Sequence, residues 1–191
     1  MSTSGIRMAL PSRDAMDEAQ RAAADELIAG PRKGVKGPFI ALLRSPDLMA
    51  RIQKVGEYLR FGSKLLPRLS EFATLLVARK WTQQFEWFMH APLALKAGVT
   101  QQTIDAIREG RRPPSGSPDE LAVFDFASEL LIHHGVSDAT YTACVDRFTE
   151  QGVVDLVCII GYFTMISMVL NVAHIPAEPS DATAALPPLP R

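Results

Sequence analysis

Apolar positions recur three and four residues apart along almost the whole of this 191-residue chain, the period of helices with one buried face. No run alternates with period two around a turn dipeptide, as a β-hairpin would require, so the pattern predicts an all-α protein. Helix formers fill 14–29 and stop at Gly30-Pro31. Ser45 followed by Pro46 supplies an N-cap and a proline at the first helical position, predicting a helix to about Phe61 that breaks at Gly62-Ser63. Pro67 opens the next, reaching about Lys80. Thr82 is placed to cap a helix running to Lys96 and closing at Gly98, and Thr100 to cap a short one ending at Gly110. Ser117 with Glu120 three residues on makes a capping box for a helix ending near His134-Gly135. Ser137 caps the following one, expected to stop before Gly152.

The last helix, about 153–174, is apolar on nearly every side. Residues 156–172 carry no charge, just short of the roughly 18 residues of a membrane span. Asp155 at its entrance, Asn171 near its exit and the lack of a flanking basic cluster favour a helix buried in a bundle or a subunit interface, with no membrane partner. Such a helix needs more burial than one small bundle supplies, so a homo-oligomer is expected. The organisation reads as a flexible start at 1–12, one helical domain over 13–176, and a proline-rich tail at 177–191 that is flexible or strapping. Between the first two long helices, 31–38 (PRKGVKGP) is a basic, glycine-rich loop. Its two lysines and one arginine could hold an anion, but a solvated connector is the expected role.

With 47% hydrophobic residues the chain has ample material for a core. Twenty basic residues balance 21 acidic ones, and no basic block marks a nucleic-acid binder. The first twenty residues lack the apolar core of a secretory signal. Cys144 and Cys158 are 14 residues apart, neither a redox CxxC nor a zinc pattern, which points to a reduced, cytoplasmic compartment. Phosphate loops, nucleophile elbows and Cys–His nucleophile patterns are absent from the sequence.

Candidate chemistry concentrates in 71–90 (EFATLLVARKWTQQFEWFMH). Glu86 and His90 are i and i+4, hence on one helix face, among Phe85, Trp87, Phe88 and Met89. The plain reading is a partly exposed ion pair worth a few tenths of a kcal/mol. The chemical reading is an acid–base pair in a dry setting, with Glu71 folding back from the preceding helix and Gln83 adding an amide. Carboxylate and histidine are also metal ligands, but without HExxH or an obvious third ligand neither a metal nor another cofactor is expected. Arg60, following Tyr58 at the end of its helix, suits bidentate recognition of a substrate carboxylate or, equally, a plain surface role. Asn171, if buried, needs a partner, either a ligand or a neighbouring backbone. His133, His134 and His174 fall at helix C-termini, where the dipole favours them.

The helix around Glu71 (EFATLLVARKW), the stretch EWFMHAPLALKAGV over 86–99, the terminal GYFTMISMVLNV and the preceding GPRKGVKGPFIALLRSPDLMARIQKVGEYLRFG together resemble the carboxymuconolactone decarboxylase and alkylhydroperoxidase-D-like superfamily, over most of 30–176. In its peroxidase branch the pattern is Glu-x11-Cys-x2-Cys-x3-His; the same spacing here reads Glu71, Gln83, Glu86 and His90. Both thiol positions hold residues that cannot form a disulfide or a sulfenic acid, so the resemblance points to the decarboxylase-like branch. It implies an AhpD-like helical bundle with an additional N-terminal helical segment, assembled as trimers or hexamers. It also implies cofactor-free lactone chemistry on a small carboxylate or lactone, with Glu86, His90 and Glu71 catalytic; Gln83, Arg60, Tyr58 and Asn171 are the substrate-binding candidates read from the residues themselves. Hydration or isomerisation on the same fold, or simple binding of a small acid, are its alternatives.

Overall fold

The computed structural model describes residues 5–30, 32–178 and 183–188. These residues form eight α-helices and no β-strand: α1 (Glu18–Ala29), α2 (Pro38–Leu42), α3 (Pro46–Phe61), α4 (Pro67–Lys80), α5 (Gln84–Lys96), α6 (Gln101–Arg108), α7 (Pro118–His133) and α8 (Asp138–Ala173). The all-α expectation holds. Proline at the first position fixes the starts of α3, α4 and α7. Thr100, Ser117 and Ser137 accept from backbone N–H groups as N-caps, and Ser117 and Glu120 close a reciprocal capping box.

Three elements depart from the pattern. Helix α1 begins at Glu18 because Asp17 and Gln20 form their own capping box, which leaves 13–15 as a 3-10 turn. Gln83, not Thr82, caps α5. The break expected before Gly152 lies at Thr149, whose φ of 63° and ψ of 169° interrupt α8. Gly152 serves close packing instead: a Cβ there would lie 2.7 Å from Cβ of Phe148.

Helix α4 is the hub, touching α5, α6, α7 and α8, and every residue from 72 to 79 is buried. Around it one apolar cluster gathers α4 to α7 with the middle of α8, including Phe72, Trp87, Phe126 and Leu156. A second joins α1, α2 and α3 to the C-terminal half of α8 through Leu27, Phe39, Met49 and Ile166. Tyr162 packs against both clusters.

Helix α8 is long and apolar enough to cross a membrane by length and composition, yet 56% of its most apolar stretch is buried inside the protein. The ends are tied to the bundle. The N–H groups of Arg7 and Met8 both donate to the Ala173 carbonyl. From the tail, Leu186 is buried in the first cluster and exchanges two backbone hydrogen bonds with the Gln84 amide; the Trp87 indole N–H donates to the Ala184 carbonyl at 2.9 Å. Of the two expected tail behaviours, residues 183–188 act as a strap.

Candidate active site

The i,i+4 spacing on α5 turns Glu86 and His90 to one side, and α4 brings Glu71 to the other side of the imidazole. His90 Nδ1 lies 2.6 Å from Glu71 Oε2, and its Nε2 lies 3.4 Å from Glu86 Oε2. The imidazole and Glu86 side chains are 8% and 5% exposed, so this is a buried arrangement and not the exposed ion pair of the plain reading. The edge of the ring meets Phe163 on α8, with centroids 4.9 Å apart at 80°. Burial alone would lower the His90 pKa, but hydrogen bonding and charge from Glu71 and Glu86 outweigh it and raise the value to about 9. His90 is thus an imidazolium at neutral pH.

Glu86 and His90 open onto a cavity of about 280 Å³ at the seam between the two apolar clusters. Phe85 and Ile166 line it on the apolar side, while Arg32, Lys36, Arg60 and Tyr162 supply polar groups. Among the described residues no carboxylate makes an ion pair within 4 Å with these three cations. Arg32 lies over the Phe39 ring at 4.3 Å, and burial lowers its pKa. The Arg60 Nε is buried without a hydrogen-bond partner. Tyr162 is held as a phenol, because burial raises its pKa.

Of the residues singled out in the sequence, the structure brings together Glu71, Glu86, His90 and Arg60. Tyr58 is elsewhere: its hydroxyl donates to the buried Asp155 carboxylate at 3.3 Å, and Asp155 also accepts from Ser63 Oγ and the Lys64 N–H. Gln83 does not share the Glu86 face. Its carbonyl caps the Phe85 N–H at 2.7 Å and its amide N–H donates to Asn171 Oδ1 at 2.8 Å. Asn171 in turn donates to the Trp81 carbonyl at the end of α4, the backbone-capping role. Gln83 and Asn171 meet in a separate, larger cavity of about 700 Å³, whose lining among the described residues includes no carboxylate and only His174 as an ionisable group. Volume alone would select that cavity; the placement of acid and base selects the smaller one.

Arg32 and Lys36 belong to the loop read as a solvated connector; Lys36 is exposed, Arg32 is partly buried, and both line the cavity. The basic composition of the loop was the available signal. Tyr162 had a weaker one, as a hydroxyl-bearing ring in an uncharged stretch. Cys144 is buried and its thiol is pushed up to about 11 by desolvation, whereas Cys158 is exposed; neither lines the cavity.

This helical arrangement matches solved structures over three quarters or more of the chain. One is the alkylhydroperoxidase AhpD core of an uncharacterized peroxidase-related protein from Ralstonia eutropha JMP134, with TM-score 0.73 and 18% identity, covering 92% of this chain and 93% of that one. Another, from Agrobacterium tumefaciens, is a protein of unknown function linked by its description to AhpD antioxidant defence, with TM-score 0.66 and 16% identity, covering 76% of this chain and all of that one. At these identities the likeness establishes the fold. Residues 46–129, which carry Glu71, Glu86 and His90, match the model of the Carboxymuconolactone decarboxylase family. In that segment, and in its fold, the chain is similar to the carboxymuconolactone decarboxylase and AhpD-like superfamily. No curated protein matches it.

Proposed function

We propose that this protein is a cofactor-independent carboxy-lyase acting on a small carboxylated lactone or related conjugated acid. The observation that carries the reading is His90, held as an imidazolium between Glu71 and Glu86 at the floor of a 280 Å³ cavity with cationic walls. Arg32, Lys36 and Arg60 draw an anionic ligand into the cavity. When the carbon–carboxylate bond breaks, carbon dioxide leaves and its electron pair passes into the conjugated carbonyl. The resulting enolate takes a proton on carbon from the His90–Glu86 pair. Both members of the pair reach the cavity, so either can make the final transfer. Glu71 does not line the cavity; it holds the imidazole from behind and sets its protonation.

The same atoms can serve a hydration or isomerisation, since each is a proton transfer next to a carbonyl. A thiol peroxidase fits less well. Gln83 and Glu86 stand where that chemistry places its thiols, and burial disfavours the Cys144 thiolate. We also propose that the protein assembles as a homo-oligomer through the face of α8 that exposes Val154, Val157, Met168 and Val172.

The test is incubation with carboxymuconolactone, following ultraviolet absorbance and carbon dioxide release. Glu86→Gln and His90→Ala should each lower kcat about 100-fold or more, the scale of a lost general acid. Undiminished turnover in both variants would remove these residues from the chemistry. If wild type leaves that lactone unchanged, the substrate named here is withdrawn, and a screen of enoic acids and other lactones for chromophore change decides between the remaining proton transfers.

A further inference from the structure

Besides the acid–base pair, the cavity is lined by Tyr162, which lies on α8 outside the 46–129 segment. Its ring is fixed edge-on against Phe163 at 5.3 Å, and Phe163 in turn meets the His90 ring edge-on. The hydroxyl end is fixed by an absence on α3. A Cβ at Gly56 would fall 2.2 Å from the Tyr162 hydroxyl oxygen and 2.6 Å from Cζ, so only glycine lets the phenol reach this depth. Arg60 is one turn further along the same face of α3 and lines the same cavity. Arg32 acts on the phenol from the loop side. A neutral hydroxyl thus shares the cavity with two guanidinium groups and with the His90–Glu86 pair.

Resting on the reading above, we propose that Tyr162, positioned by Gly56 and supported by Arg32 and Arg60, is the oxyanion donor of this site. Loss of carbon dioxide, like any proton transfer next to a carbonyl, transiently puts negative charge on the carbonyl oxygen. That charge needs a pre-oriented donor at the oxygen, separate from the acid that protonates carbon. The Tyr162 O–H donates to the enolate oxygen and keeps its proton, while His90 or Glu86 protonates the carbon. The substrate class follows: a small, planar, conjugated carbonyl compound bound with its carbonyl toward α8 and its reacting carbon toward α5.

The experiment uses 4-nitrophenol as a stable enolate mimic, with its phenolate absorbance as the readout, on the full chain of wild type, Tyr162→Phe, Gly56→Ala and Glu86→Gln. Thermal melts of each variant guard against misfolding. Wild type should bind the phenolate form. Tyr162→Phe should weaken that binding by roughly tenfold or more, the scale of one charge-assisted hydrogen bond. Gly56→Ala should weaken it too while retaining a cooperative melt, and Glu86→Gln should tighten it by removing a negative charge. Equal phenolate binding by wild type and Tyr162→Phe overturns the assignment, as does a wild type that does not bind phenolate. Because this readout needs no turnover, its failure is separate from failure of the carboxy-lyase reading, which the Glu86 and His90 kinetics decide.

Discussion

His90 has a carboxylate at each ring nitrogen, and this sets the pH behaviour of the folded chain. Its pKa rises from an ordinary 6.5 to about 9 in the native state. The stabilisation it brings is therefore complete below pH 6.5, declines between 6.5 and about 9, and is gone above that. Urea denaturation across this window should give a falling unfolding free energy, and the His90 ring resonances should titrate near 9. Glu71→Gln, which removes the 2.6 Å partner, should move that titration back toward 6.5 and flatten the decline. An unchanged midpoint in Glu71→Gln would mean that Glu71 does not govern the proton. The pairing of Glu86 with His90 was legible from helical spacing, and the return of Glu71 was legible as an option. The place of Gln83 was not, because a side chain at a helix N-cap turns to its own backbone and leaves the face that its number suggests. Arg32 was hidden for a different reason: a loop has no period from which to read direction.

At the level of elements, α3 and α4 begin and end where their prolines and apolar periods place them. Helix α2 was not foreseen, since five residues are too few to display a period. It matters for the site nonetheless. Gly37, its N-cap, has φ +55°, and a Cβ there would come within 2.3 Å of the Phe85 ring at the cavity wall. Gly37→Ala should cost about 1–3 kcal/mol in chemical denaturation, from positive-φ strain and overpacking together. The strap at 183–188 bears on α5 from the other side. Leu186→Ala should cost about 2 kcal/mol or more, the low end for a buried leucine. Because the Trp87 indole donates to the Ala184 carbonyl, tryptophan fluorescence should shift in the same variant before global unfolding. No change in either signal would show that the tail contributes nothing to α5.

Over the whole molecule, the uncharged stretch of α8 gave its burial away in the sequence, but not which side stays open. Val154, Val157, Met168 and Val172 remain exposed on it. Light scattering should return a multiple of the 20.9 kDa chain mass, and Met168→Lys with Val172→Lys should lower it. A wild-type monomer would refute the assembly. The site itself depends on parts far apart in sequence: 32–36 and 60 from the N-terminal half, 86–90 from α5 and 162–166 from α8.

The seam location has a thermodynamic consequence. A ligand lodged in the cavity touches the walls of both apolar clusters and acts as a rivet between them. Its binding energy then opposes every local opening that parts the N-terminal helices from the α4–α7 body. Amide exchange in α1 to α3 should slow on saturation even though none of α1 lines the cavity, so protection there would detect the true substrate before its chemistry is known.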